Sequence, residues 1–154
     1  MTQSPHILIV EARFYADIAD ELARGAVAAL EAGGASHERI EVPGAFEIPA
    51  AVAFAALATE RHADQAPFDG FIALGCVIRG ETSHYDYVCG ESARGLQDLA
   101  CRHGLALGYG ILTCETRDQA WERAAVDRKN KGADVALACL RMIDLRRRFR
   151  LEAR

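Results

Sequence analysis

The chain has 154 residues, of which 51% are hydrophobic and 26% charged, and its formal net charge is −4. That length is usual for one domain and can bury a core without disulfide or metal staples. The mild acidity argues against nucleic acid or an anionic membrane as the principal partner, and no apolar stretch reaches membrane-spanning length. Residues 1–5 lack the basic-then-apolar pattern of a signal peptide. The cysteines (Cys76, Cys89, Cys101, Cys114, Cys139) are scattered, with no C-x-x-C pair. Reduced thiols and a cytoplasmic location are therefore expected. The basic run Arg146, Arg147, Arg148, Arg150 reads as cations favoured at a helix C-terminus.

Residues 6–10 (HILIV) are a short run rich in branched apolar residues, the signature of a buried strand. Phe14 follows in a loop. Asp17 is placed to cap a helix reaching about Ala32, with Ile18, Leu22, Ala26, Ala29 and Leu30 on one face and Gly33 and Gly34 ending it. Residues 38–42 form a second strand, broken by Pro43 and Gly44. Pro49 suits the first turn of a helix running to about Thr59, and residues 63–69 read as a polar loop. Residues 71–78 (FIALGCVI) are the most apolar strand. A helix starts near His84, with Ser83 and Asp86 at capping-box spacing, and ends at Gly104. Residues 105–113 are the fourth strand. Thr116 and Gln119 form a second capping box opening a helix through Trp121, which residues 130–132 interrupt. The last helix runs to about Arg148, with Val135, Ala138, Cys139, Met142 and Leu145 on one face and Leu137 and Leu140 off it. A helix apolar on two sides is deeply buried or packs against another subunit. The β-α-β-α-β-α-β-α-α order predicts a four-stranded parallel sheet with helices on both faces. There is no internal repeat, low-complexity segment or linker, so residues 1–154 are expected to form a single domain.

In an open parallel sheet, ligands bind beyond the carboxyl ends of the strands. The loops there hold Phe14, then residues 43–47, then residues 75–84, then residues 113–116, and the unusual residues cluster in the first three. Gly80, Thr82 and Ser83 offer N–H groups and hydroxyls just before a helix N-terminus, the physics of an anion site. On residues alone the default reading is an ordinary capped helix start. His84 in the first turn is disfavoured as a cation there, and a neutral imidazole accepts and returns a proton. Its default role is a hydrogen-bonded surface histidine. Phe14 and Phe46 suit stacking on a flat heterocycle, or else pack in their loops. Glu47 suits sugar hydroxyls, or else is a first-turn acid. Arg123 suits a phosphate, or else is a solvated helix residue. Cys89 does not share a helix face with His84, so a Cys–His nucleophile is not indicated. Cys101 and His103 lack further ligands at metal spacing, and the glycines of 104–110 lack the setting of a dinucleotide loop.

Residues 43–49 (PGAFEIP), 75–89 (GCVIRGETSHYDYVC) and 130–134 (NKGAD) resemble the lumazine synthase family, in matching order and spacing over nearly the whole chain. The resemblance implies a three-layer α/β/α flavodoxin-like domain. It also implies condensation of 5-amino-6-(D-ribitylamino)uracil with 3,4-dihydroxy-2-butanone 4-phosphate to the lumazine, phosphate and water. The family uses no metal or redox cofactor and assembles as pentamers, decamers or shells with active sites between subunits. By this resemblance His84 is the acid/base residue and Phe14 stacks on the pyrimidine. Ala45, Phe46 and Glu47 hold the ring and ribityl chain, and the backbone of Cys76, Val77 and Ile78 meets the pyrimidine. Glu81 and Thr82 form the phosphate nest. Arg123 on the phosphate and Tyr109 over the ring would come from the adjacent subunit, and Lys131 falls where the family has a nearby lysine.

Some positions depart from the commonest family spelling. Cys76 stands for a frequent threonine and Tyr109 for phenylalanine. Glu81 replaces a small residue, and its carboxylate weakens phosphate binding unless it points away or pairs with Arg79. Residues 125–129 (AVDRK) lack the glycines of shell-forming members and the N-terminus is short, so a pentamer or decamer is expected. The other function classes to weigh are a flavin- or lumazine-binding module without turnover, a mainly structural oligomer, and a cysteine-dependent hydrolase.

Overall fold

A computed structural model describes residues 3–62, 64 and 68–151. Its elements follow the expected order. They are β1 (His6–Ala12), α1 (Ala16–Ala32), β2 (Ser36–Val42), a 3-10 turn (Ala45–Glu47), α2 (Ile48–Arg61), β3 (Gly70–Ile78), α3 (His84–His103), β4 (Leu107–Cys114), α4 (Arg117–Ala124) and α5 (Lys131–Arg148). The polar loop expected over residues 63–69 lies largely outside the described residues. No described helix is long and apolar enough to cross a membrane.

The strands pair in the order β2-β1-β3-β4, all parallel. Alternate residues of β1 and β3 feed two cores. Ile7, Ile9, Ile72 and Leu74 meet α1, α4 and α5 through Leu22, Ala120 and Cys139. Leu8, Val10, Phe71 and Ala73 meet α2 and α3 through Val52 and Leu96. Burial on both faces explains why these two strands read as unbroken apolar runs. The result is the three-layer, flavodoxin-like arrangement. From β1 the chain passes to β2 on one side and then returns to β3 on the other. The carboxyl ends of β1 and β3 therefore form the switch point where such sheets bind ligands.

Several local readings need correction. Tyr15, not Asp17, is the N-cap of α1; Asp17 sits in the first turn, where its carboxylate bonds Arg117. β1 runs on to Ala12, and β2 begins two residues early because Ser36 and His37 pair with His6 and Ile7 through the backbone. The capping box at Ser83 does not form. Ser83 makes no side-chain cap bond; instead Thr82 Oγ1 accepts from the His84 N–H at 3.3 Å, and the Asp86 carboxylate turns to Arg79. β4 starts at Leu107. The α4–α5 break comes at Ala125, and Lys131 and Gly132 are already helical. The buried stripe of α5 is Gly132, Val135, Ala136, Cys139 and Ile143. Ala138, Met142 and Leu145, expected on that stripe, are exposed with Leu137. Gly132 explains the rotation. A Cβ there would lie 2.1 Å from the Leu22 carbonyl oxygen, so α1 and α5 touch along this side.

The second capping box does form. Thr116 Oγ1 accepts from the Gln119 N–H at 3.3 Å, and Gln119 Oε1 accepts from the Glu115 N–H at 2.8 Å. Thr116→Ala is expected to cost about 1 kcal/mol in urea unfolding, with an unchanged denaturant slope because the fold is otherwise untouched.

Candidate functional site

The switch point opens into a cavity of about 530 Å³. Three loops build it, and each reaches it for a reason visible in the chain. After β1 come Ala12, Phe14 and Tyr15. After β2 come Gly44, Ala45, Phe46 and Glu47, where the Pro43–Gly44 break and the 3-10 turn swing the chain over the sheet end. After β3 come Cys76, Val77, Ile78, Gly80, Thr82 and His84. Tyr85, Tyr87 and Val88 complete the wall from α3. The volume falls in the usual range for small-molecule sites, about 300–1,000 Å³.

The walls are mostly apolar, with polar groups from Glu47, Thr82 and His84 among them. Phe14 and Phe46 are 79% and 55% exposed, so both rings are free to meet a flat ligand. Phe14 touches Tyr15 edge-on at 4.9 Å between centroids. His84 occupies the first position of α3, directly after the turn of residues 80–83. Among the described residues, no backbone N–H of that turn donates to a protein acceptor. With the positive end of the α3 dipole behind them, these groups are free to take an anion.

Arg79 holds the turn from outside. Its N–H donates to the Cys114 carbonyl at 3.0 Å, its guanidinium bonds Glu115 (2.8 Å) and Asp86 (3.3 Å), and it lies 4.3 Å from the Tyr85 ring centre. The two carboxylates raise its pKa, hydrogen bonding to Glu115 most strongly. Arg79 is thus occupied and does not pair with Glu81. Glu81 is exposed and does not line the cavity.

Three expected site residues lie elsewhere. Tyr109 is on β4, the sheet edge remote from β1, and burial raises its phenol pKa. Arg123 is half-buried on α4 and donates to the Gln119 carbonyl at 3.0 Å; it pairs with no carboxylate among the described residues. Lys131 opens α5 and bonds Asp134 at 3.2 Å. None of the three lines the cavity, and neither does any other lysine or arginine among the described residues. Sequence reading missed Tyr15, Tyr85, Tyr87 and Val88. The last two lie three and four residues beyond His84, on the same helix face, a spacing that would have found them.

Two other constellations fail on geometry. His6 bonds Ser36 Oγ (2.8 Å) and Glu38 (3.0 Å), a serine–histidine–acid chain at the opposite end of the sheet. The Gly34, Ala35 and Ser36 N–H groups beside it already donate to carbonyls, leaving no oxyanion seat there. Four of the five cysteines are poor nucleophiles. Burial pushes the Cys76 and Cys139 thiols up to about 12, and raises Cys89 and Cys114 as well. Iodoacetamide at pH 8 is therefore expected to label the exposed Cys101 ahead of Cys76 and Cys139, with catalytic activity retained. Peptide mass mapping and a residual-rate assay check both halves. Among the described residues, no group of three or more His, Cys, Asp or Glu side chains is placed to hold a metal ion.

The sequence model for 6,7-dimethyl-8-ribityllumazine synthase matches residues 4–147. The chain belongs to that family. Proteins named 6,7-dimethyl-8-ribityllumazine synthase are close to it along their length. The one from Bartonella tribocorum is 54% identical over 149 residues, 97% of this chain and 95% of its own. The one from Azorhizobium caulinodans is 56% identical over 142 residues, 92% of this chain and 86% of its own. The 6,7-dimethyl-8-ribityllumazine synthase 1 of Rhizobium meliloti is 54% identical over 147 residues.

Proposed function

We propose that the protein is a transferase of riboflavin biosynthesis that condenses 5-amino-6-(D-ribitylamino)uracil with 3,4-dihydroxy-2-butanone 4-phosphate, giving 6,7-dimethyl-8-ribityllumazine, phosphate and water. The observation that carries this is one cavity holding His84, the anion seat of residues 80–83, and the exposed Phe14 and Phe46 rings. The pyrimidine lies against Phe14 and the backbone of Cys76, Val77 and Ile78. Ala45, Phe46 and Glu47 take the ribityl chain. The phosphate sits on Thr82 and the N–H groups around it. The amine forms its C–N bond to the ketone carbon, whose oxygen leaves as water. Loss of a proton from the adjacent carbinol carbon expels the phosphate and leaves an enol that becomes a second ketone. The ribitylamino nitrogen then closes the ring on that ketone, whose oxygen leaves as a second water. His84 takes and returns the protons that move in these steps. Holding the two reactants in contact supplies much of the rate.

The seat is rich in N–H groups and, among the described residues, carries no basic side chain of its own. Arg123, without a carboxylate partner among the described residues, supplies the missing charge from a neighbouring subunit, with Tyr109 over the ring and Lys131 nearby. The active unit is thus a homo-oligomer. The exposed Leu137, Met142 and Leu145 on α5 fit such packing. The segment AVDRK over residues 125–129 favours a pentamer or decamer over a shell, in the cytoplasm. A megadalton particle dominating the sedimentation profile would overturn the smaller assembly. Mixing the two substrates with the protein tests the reaction. Lumazine absorbance should grow together with phosphate release, whereas ligand binding without either product would reduce the protein to a binding module.

A further inference from the structure

The end of β1 carries a carboxylate that the proposed chemistry does not use. Glu11 is 3% exposed, on the side of the strand whose Ile7 and Ile9 enter the core shared with α1. Two arginines hold it. Arg39 of β2, opposite Ile9 in the register, donates from Nε at 2.7 Å and Nη2 at 3.0 Å. Arg13 donates from Nη1 at 2.8 Å and, from Nη2, to Asp20 of α1. A buried ion pair is weak evidence for net stability, since well-packed apolar residues often do as well; its better-attested use is to specify one arrangement. Here the arrangement specified is the path of the chain into the cavity.

Arg13 immediately precedes Phe14, and its fork ties that turn to β1 and α1, while Arg39 brings in β2. Among the described residues neither core includes the Phe14 ring, which is exposed and meets the Tyr15 ring edge-on. On the far side, Tyr15 lies 6.0 Å from the Arg117 guanidinium, which is itself bonded to Asp17. The ring position is therefore set by the backbone on either side of it, and Glu11 is the buried anchor of one side. We infer that Glu11 is a positioning residue for pyrimidine binding, acting through Arg13 and Arg39 to hold Phe14 against the ligand. This rests on the reading of Phe14 as the stacking platform.

Glu11→Gln keeps the shape and removes the charge. The expected result is a KM for the ribitylamino-uracil raised about tenfold, the upper order of a lost aromatic stacking contact. The KM for the phosphorylated ketone and kcat should change less than about twofold. A purely structural lesion would move both KM values together. The decisive comparison is with Phe14→Ala. If Glu11 acts through Phe14, the double variant Glu11→Gln/Phe14→Ala should have the same uracil KM as Phe14→Ala alone. Full additivity, or an unchanged uracil KM in Glu11→Gln, overturns the inference while leaving the stacking role intact. An unchanged KM in Phe14→Ala overturns the stacking role itself, and the inference with it. Should Glu11→Gln fail to fold, Arg13→Gln, which cuts the same tether at a less buried position, is read against the same comparison.

Discussion

Replacing His84 by alanine is expected to lower kcat by about a hundredfold, the scale of a lost general acid–base group, with both KM values changed by less than about twofold. The substitution is clean for a structural reason. Among the described residues the His84 ring makes no hydrogen bond, and its backbone N–H donates to Thr82 Oγ1, a bond that alanine keeps. The first turn of α3 and the anion seat thus survive, and only the imidazole is lost. Residual turnover should remain well above the uncatalysed rate, because two reactants held in contact still profit from proximity. Initial rates over a grid of both substrate concentrations separate kcat from KM. Turnover equal to that of the unchanged protein would remove His84 from its assigned role, whatever the family pattern.

That substitution could be designed from the sequence alone, because the sites of parallel sheets lie where the strands stop. The apolar runs of β1 and β3 mark those stops, since burial on both faces leaves no polar alternation to blur them. The three loops beyond the first three strands were legible for the same reason, and they line the cavity. β2 was less legible. It is an edge strand whose residues are almost all exposed or half-buried, and its first two residues are held by backbone pairing that composition does not report. The start of α3 at His84 was legible, but its cap was not. Ser83 and Asp86 have the spacing of a capping box, but Arg79 draws the Asp86 carboxylate outward. The face of α5 was misjudged because periodicity ranks residues by size, whereas contact with α1 is decided by Gly132. Glu11 gave no signal at all, as a lone acid at the end of an apolar run is ordinary until Arg13 and Arg39 are seen to converge on it.

Arg123→Ala is expected to raise the KM for the phosphorylated ketone about thirtyfold, the equivalent of about 2 kcal/mol of charge-assisted hydrogen bonding to the phosphate, with the KM for the ribitylamino-uracil little changed. The residue is suited to that task by what it lacks. Arg79, Arg94, Arg102, Arg117 and Arg128 all pair with carboxylates, whereas Arg123 bonds only a backbone carbonyl among the described residues. Its place on α4, outside the cavity of its own chain, turns this into a test of where the site is made. If each site takes His84 from one subunit and Arg123 from the next, a head-to-tail contact around a ring, then the two defects lie in different halves of a site. Subunits carrying His84→Ala and subunits carrying Arg123→Ala, mixed equally and reassembled, should then form about a quarter of their sites with both residues intact. Activity should rise above that of either variant alone to roughly that fraction of the unchanged protein. If both residues served the same subunit's site, no mixture could restore a complete one. Activity that stays at the average of the two variants would place Arg123 outside the shared site and return the source of the phosphate's positive partner to the chain's own surface.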